Sequence, residues 1–208
     1  ERTVLNRVPG YSELRAVVRL PGESEGAMQG LRRLDRDFDR DTLAAGLRQR
    51  LPALHIASHF RLAFGDSKRS VLLMGDGRTL PMDDLVDTVS YDLAHLDLLT
   101  LSACETAVPV GTDDASGAEV ESLSALVHQA GARSVLATLW PVADRGTAEF
   151  MGRFYTYLAS SPDMGKAEAL RRTQVDFIRG YGPAGAPAAS RPAPPYLWAP
   201  FVLSGHWM

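Results

Sequence analysis

Residues 96–107 have the sequence LDLLTLSACETA, in which an apolar strand runs into a polar turn. The nearly continuous apolar run is typical of a strand that is buried on both faces of a parallel sheet. The strand ends near Cys104, the single cysteine of the chain, and the turn begins at Glu105. Ligands and reactive groups gather beyond the carboxyl ends of strands in open α/β sheets. Cys104 is therefore a candidate nucleophile.

A second apolar strand is predicted at residues 54–58, and His59 follows it directly. Parallel strands end at the same edge of a sheet, so we expect His59 and Cys104 to meet there. A free cysteine has a pKa of about 8.5, and a nearby imidazole stabilises the thiolate and then protonates a leaving amine. The pair predicts acyl-transfer chemistry. A buried strand cysteine is also often only a small apolar side chain, so the pattern by itself leaves both interpretations open.

The other motifs indicate neither a metal nor a cofactor. His55 alternates with apolar residues inside its strand and is predicted to be a core histidine, whereas His95 and His128 are predicted to lie on the surface. No set of His, Cys and carboxylate residues has the spacing of metal ligands. The glycine-rich turn at residues 75–77 lacks the lysine and the helix start of a phosphate-binding loop.

Composition narrows the class of protein. The chain has 208 residues, 45% of them hydrophobic, and a net charge of −3, which fits one globular domain without a basic surface for nucleic acid. No apolar run is long enough for a membrane span. A lone cysteine and the lack of a secretory signal predict a cytoplasmic location. The start at Glu1 is not a natural one, so we expect a fragment of a longer chain.

Strands that alternate with helices predict an α/β domain, a three-layer sandwich whose mostly parallel central sheet has helices on both faces. Residues 1–20 are assigned to an N-terminal extension or edge strand, with the strand at 14–20, and residues 21–208 to the main domain. Helices are predicted at 27–34, from a cap at Asp41 to residue 51, and at 81–89, 119–130, 144–158 and 166–178. Further strands are predicted at 134–139 and 198–203, a hairpin at 60–74, and loops at 108–118 and 182–195.

Five segments resemble the CHAT domain, a family in the caspase–separase group of cysteine peptidases. They occur in the order found in that family, and the resemblance covers roughly residues 21 to 207. The segments are LHIASHF (54–60), VLLMGDG (71–77), LLTLSACETA (98–107), GAEVESLSALVHQAGARSVLATLWPVAD (117–144) and WAPFVLSG (198–205).

This resemblance implies that His59 is the catalytic histidine and Cys104 the nucleophile. It also implies an oxyanion hole formed by the backbone N–H groups of Cys104 and Phe60. Caspase-like histidines are typically followed by glycine, and Phe60 departs from that pattern. A backbone donor tolerates the side chain if φ of Phe60 is negative.

The resemblance further implies substrate contacts in the loop at residues 139–144. Trp140 is expected to line a subsite, and Asp144 either reaches the cleft or caps the next helix. Ser102 lies two residues before Cys104, where related enzymes that cut after basic residues carry an acidic side chain. Specificity for Arg or Lys is therefore not predicted.

Two functions follow as hypotheses. The first is a cysteine endopeptidase that cuts a protein substrate with a His59/Cys104 dyad and is gated by an N-terminal repeat domain, a sensor domain or a regulatory partner. The loops at 108–118 and 140–144 are the expected point of control. The alternative is a catalytically silent caspase-like scaffold for protein assembly, which the departure at Phe60 favours.

Overall fold

Helices and strands alternate along the chain, which confirms the α/β class. The computed structural model describes residues 11–61, 69–87, 89–102, 116–140, 142, 144–180 and 192–208. The helices are α1 (Tyr11–Val17), α2 (Arg40–Leu47), α3 (Met82–Asp87), α4 (Ser116–Gln129), α5 (Asp144–Ala159) and α6 (Lys166–Arg179). The strands are β1 (Val18–Arg19), β2 (Met28–Gln29), β3 (Ala53–Ala57), β4 (Phe60–Arg61), β5 (Val71–Leu73), β6 (Thr79–Pro81), β7 (Leu98–Ser102), β8 (Ser134–Thr138) and β9 (Phe201–Gly205).

The largest sheet has four described strands in the order β3-β7-β8-β9. β3, β7 and β8 are parallel, and β9 runs antiparallel to β8, so this sheet is mixed. Two smaller sheets accompany it: the parallel pair β1-β2, and the antiparallel set β4-β5-β6. The antiparallel set includes the predicted hairpin, since Phe60 pairs with Leu72.

Two hydrophobic clusters form on opposite faces of the four-stranded sheet. Alternate residues of a strand point to opposite faces, and Leu99 and Leu101 of β7 accordingly join α2 and α4 in one cluster. Leu98 joins α5 and α6 in the other. In that second cluster the rings of Phe150 and Phe201 stack 3.7 Å apart. Burying a side chain of this size stabilises the fold by about 1.5–3 kcal/mol.

The strand predicted at residues 14–20 is wrong over most of its length. Residues 11–17 form α1, and only Val18 and Arg19 are extended. Glu13 and Val17 lie one helical turn apart, and both are buried, so the segment buries a helical face against α5 rather than a strand face. The domain boundary between residues 20 and 21 stays a prediction.

The helix predicted at residues 27–34 is also wrong. Met28 and Gln29 form β2 and pair in parallel with Val18 and Arg19. Leu31, which fits the helical spacing, is 45% exposed. The apolar spacing was therefore coincidental, because the backbone there pairs with β1 instead of with itself.

The cap of α2 lies two residues earlier than predicted, at Asp39 instead of Asp41. Its carboxylate accepts a hydrogen bond from Thr42 N–H at 2.8 Å, and Thr42 Oγ1 accepts one from Asp39 N–H at 3.0 Å. This reciprocal pair is a capping box, in which a threonine takes the usual place of glutamate.

The remaining predicted helices and strands agree with the structure to within a few residues at their ends, apart from the last strand, which begins at Phe201 instead of residue 198. Among the described residues, no helix has both the length and the apolar character that crossing a bilayer requires.

Candidate active site

β3 and β7 are adjacent parallel strands, and their carboxyl ends lie side by side. The register pairs Ile56 with Leu101 and Ala57 with Ser102. Beyond Ala57 the structure describes His59. Beyond Ser102, residues 103–115 lie outside the described part of the chain, and the predicted nucleophile Cys104 is among them.

His59 lies in the short connection between β3 and β4 and is held there by β5. Its backbone carbonyl accepts a hydrogen bond from Leu73 N–H at 2.8 Å. The preceding residue, Ser58, is buried and donates its hydroxyl to the Leu73 carbonyl at 2.6 Å. The side chain of His59 is half-buried, with Nδ1 removed from solvent. Leu73 of β5 thus holds both the main chain of His59 and the side chain of Ser58 before it.

Phe60 follows His59 and begins β4. Hydrogen-bonded and non-hydrogen-bonded pairs alternate along an antiparallel ladder. Because Leu73 N–H donates to the carbonyl of His59, His59 and Leu73 form a hydrogen-bonded pair, and Phe60 and Leu72 form the next, non-hydrogen-bonded one. The N–H of Phe60 therefore points away from β5. β4 is at the edge of its described sheet, so no strand of that sheet accepts from this donor.

The side chain of Phe60 does not conflict with the backbone conformation. The described non-glycine residues with positive φ are Asp35 and Arg50, so φ of Phe60 is negative. Its ring is 4% exposed and packs in the cluster that contains α2 and α4. A glycine is not required at this position.

Of the predicted substrate-contacting residues, Ser102 and Trp140 lie at the ends of β7 and β8, and Asp144 lies at the start of α5. Ser102 is the last residue of β7 and is buried. Trp140 lies two residues beyond β8 and is 37% exposed, and its indole N–H donates to the carbonyl of Tyr196 at 3.2 Å. Asp144 is the first residue of α5, where a carboxylate interacts favourably with the helix dipole. Its side chain lies outside the described part.

The sequence predicts the environment of three histidines outside the dyad, and one of these predictions is confirmed. His55 is a core histidine, as predicted: its Nε2 pairs with Glu13 at 2.8 Å and its Nδ1 with the Tyr155 hydroxyl at 3.2 Å. The surface assignment of His128 is wrong in part, because the residue is half-buried in α4 and its ring bridges the Ala132 carbonyl and the Ser204 hydroxyl.

The surface assignment of His95 is also wrong, since both of its ring nitrogens are buried. The residue lies just before β7, where the main chain is tied to β3: Asp97 N–H donates to the Pro52 carbonyl at 2.8 Å. This hydrogen bond holds the turn that contains His95 against the start of β3.

A buried polar chain runs across the sheet from α1 to β7. Glu13 pairs with His55, His55 with Tyr155, and the hydroxyls of Tyr155 and Thr100 are 2.7 Å apart. Burial raises the pKa of Tyr155 well above its ordinary value, so its hydroxyl stays protonated and able to donate. This series of hydrogen bonds positions β3, the strand that leads to His59.

Sequence reasoning missed Ser58 and Glu13. Ser58 gave a weak sequence signal. A polar residue at the end of an apolar strand, next to a candidate catalytic histidine, can hold that histidine in place by a hydrogen bond. Glu13 gave none, because its partner His55 is distant in sequence. Of the loops predicted at 108–118 and 182–195, residues 108–115 and 182–191 lie outside the described part, and residues 116–118 belong to α4.

The comparisons with known proteins bear on this geometry. A search among curated proteins found no match. A sequence model of the CHAT domain matches residues 6–206, nearly the whole chain. That span contains β3, β7 and the residues that follow both strands, and CHAT domains are related to caspase-like peptidases. The chain therefore belongs to the CHAT domain family.

Proposed function

We propose that this protein is a caspase-like cysteine endopeptidase that cuts a protein substrate with a His59/Cys104 dyad. The proposal includes a caspase-like three-layer domain with a mostly parallel central sheet and a cytoplasmic location. One observation carries it. Ala57 pairs with Ser102 across adjacent parallel strands, and His59 and Cys104 each follow their strand by two residues. Neighbouring strands are about 4.8 Å apart, so equal offsets favour an imidazole and a thiol at one edge.

The chemistry is acyl transfer in two halves. The Cys104 thiolate attacks the carbonyl carbon of the scissile peptide bond, while imidazolium His59 neutralises it and then donates its proton to the leaving amine. The C–N bond breaks and a thioester remains. Neutral His59 then takes a proton from water as the water oxygen attacks the thioester. The acid product leaves, and the thiolate–imidazolium pair is restored.

The oxyanion of each tetrahedral intermediate needs N–H donors. We assign this role to the backbone N–H groups of Phe60 and Cys104. The orientation of the Phe60 N–H away from β5 supports the assignment, because the β4–β5 ladder does not use it. Losing one such donor typically lowers kcat by about 10²–10³.

The substrate is expected to lie across the ends of β7 and β8. Trp140 offers a partly exposed flat apolar surface there, fixed by its hydrogen bond to the Tyr196 carbonyl. Ser102 lines the same edge from the end of β7 and Asp144 lies at the start of α5. We propose that Trp140 and Ser102 contact the peptide, while Asp144 contacts it or stabilises the start of α5.

Control by an N-terminal repeat domain, a sensor domain or a regulatory partner is the remaining part of the proposal. Such a partner would act on the segments that follow β7 and β8, at residues 108–118 and 140–144. The measurement is kcat/KM of the isolated chain and of the full-length protein on one substrate. Equal values would exclude gating.

The test of the dyad is cleavage of a diverse peptide library by the wild type, Cys104→Ala, His59→Ala and a control, His206→Ala. His206 is exposed, so its replacement removes a histidine without touching the proposed site. We expect the two dyad variants to lose at least about 10³-fold in kcat/KM and the control to match the wild type. Circular dichroism establishes that all four proteins are folded.

A thiol-reactive peptide electrophile distinguishes the alternative function. A peptidase should label rapidly at Cys104 and lose that rate in His59→Ala. Undiminished cleavage by Cys104→Ala would refute the dyad. Slow labelling that is independent of His59, together with no cleavage, would instead indicate the silent scaffold.

A further inference from the structure

A cavity of about 250 Å³ lies beside the first half of β3, between α1, β2 and α2. Its walls are mainly apolar and include Val17, Met28, Leu43 and Leu54. The strand residues on its lining precede Ile56, whereas the candidate active site follows the carboxyl end of the same strand. The cavity is therefore separate from the proposed peptidase site.

The cavity reaches the surface. Leu31 and Leu51 both line it and are 45% and 41% exposed, so its rim is apolar and open to solvent. An engineered cavity of about 150 Å³ with apolar walls takes up benzene. A space of the present size therefore suits a ligand of about ten non-hydrogen atoms.

His95 lies on this lining and has two ring nitrogens that can hydrogen-bond to a ligand. Both of its ring nitrogens are buried, and neither has a hydrogen-bond partner among the described residues. A buried polar group without a partner is costly. A ligand that brings a hydrogen-bonding group to His95 would remove this cost.

The charges on the lining favour an anion. The described lining contains two arginines and two histidines and no acidic residue. Arg32 is occupied by Glu23 at 2.7 Å, and His55 by Glu13. The guanidinium of Arg33 donates to the carbonyl of Arg32 at 3.3 Å and forms no ion pair within the described part of the chain. The charge of Asp92 lies near His95, but Asp92 is paired with Arg50 at 3.0 Å. Arg33 and the ring nitrogens of His95 therefore remain to meet the charge of a ligand.

We propose that this cavity binds a small amphipathic monocarboxylate, whose apolar tail fills the space between α1, β2 and α2. The carboxylate accepts a hydrogen bond from the His95 imidazole, and Arg33 supports its charge from the rim. An aliphatic acid of about eight carbons has the size and charge that the cavity requires. A ligand of this size is expected to bind with a Kd of roughly 0.1–1 mM.

Gly46 provides a direct test of occupancy. It lies in α2 on the cavity lining, and a Cβ added there meets no atom within 4 Å. A side chain at this position therefore begins in open space, and Gly46→Leu extends it over the cavity lining. Gly46→Ala is the matched control, because it gives the same helix a better helix former while leaving most of the cavity empty.

The experiment is isothermal titration calorimetry with octanoate below its micelle concentration, on the whole 208-residue chain. Acetate serves as the head-group control and octylamine as the charge control. We expect octanoate to bind at least tenfold more tightly than either control. Gly46→Leu and His95→Phe should each weaken binding at least tenfold, Gly46→Ala should leave it unchanged, and Arg33→Gln should reduce the preference over octylamine.

Three results would overturn the proposal. The first is no octanoate binding by the wild type, and the second is binding that Gly46→Leu leaves intact. The third is equal affinity for octylamine, which would refute the assigned ligand class. Thermal unfolding of each variant shows that a loss of binding does not reflect a loss of folding.

Discussion

Ser58 connects the end of β3 to β5 through a single buried hydroxyl. Its Oγ donates to the Leu73 carbonyl at 2.6 Å, and the N–H of the same leucine donates to the carbonyl of His59. A hydrogen bond of this kind both stabilises the protein and restricts where the next side chain sits. We infer that Ser58 is a positioning residue for the proposed catalytic histidine.

Ser58→Ala should therefore lower both stability and activity. Removing the hydroxyl leaves a carbonyl without its donor, which costs about 1–2 kcal/mol, and we expect kcat to fall roughly tenfold with KM little changed. The measurements are urea unfolding and peptidase kinetics.

The matched control is Ser134→Ala. Ser134 is also buried and donates to a main-chain carbonyl, that of His206, at 2.6 Å, but from the amino end of β8. It should lose a similar free energy of unfolding and keep its kcat. An equal drop in kcat in both variants would contradict the positioning role of Ser58.

At the scale of elements, the turn between β5 and β6 packs against the segment before α2. Gly75 N–H donates to the Phe38 carbonyl at 2.7 Å, and a Cβ on Gly75 would lie 1.6 Å from the Asp35 carbonyl oxygen. Only a glycine permits this approach of two main chains.

Gly75→Ala is expected to destabilise the protein by about 2–3 kcal/mol, since the two segments must move apart. Gly46→Ala makes the same change in open space and should instead stabilise α2 by up to about 1 kcal/mol. Chemical denaturation of both variants checks the pair. A Gly75→Ala protein as stable as the wild type would show that the contact is not required.

At the scale of the whole molecule, a buried polar chain on one face of the sheet joins α1 and α5 to two strands. Tyr155 from α5 contacts His55 in β3 and Thr100 in β7, and Glu13 from α1 completes the chain. Tyr155→Phe leaves His55 Nδ1 and the Thr100 hydroxyl with one partner fewer each. We expect a loss of about 1–3 kcal/mol at pH 7.

The effect of Tyr155→Phe should also depend on pH in the alkaline range. Burial raises the pKa of Tyr155 in the folded state above the ordinary value of 10.0. The unfolded chain then loses this proton first, so the stabilisation is complete below pH 10 and declines as pH rises above it. The stability difference between the wild type and Tyr155→Phe should therefore shrink above pH 10.

Tyr196→Phe is the control for this pH dependence, because Tyr196 is 56% exposed. The Tyr155→Phe difference is compared with the Tyr196→Phe difference between pH 8 and pH 11. Denaturant midpoints measured across that range provide the comparison. A constant difference for Tyr155→Phe would contradict a raised pKa at this site.

The sequence by itself determined the elements whose signals are local. The apolar runs of β3, β7 and β8, the helical faces of α5 and α6, and the hairpin that begins at Phe60 are all readable, because period and turn chemistry depend on neighbouring residues. The positions of His59 and Cys104 after two apolar strands follow from the same local pattern.

The tertiary structure decided what depends on distant partners. Residues 11–17 are helical because Glu13 and Val17 find buried contacts on α5 and β3, and Met28 is extended because it pairs with β1. The β3–β7 register, the hydrogen bonds of Ser58, and the cavity beside α2 arise from contacts between segments far apart in sequence. Local periodicity carries no information about such contacts, since the free energy that selects them is released only when the segments pack together.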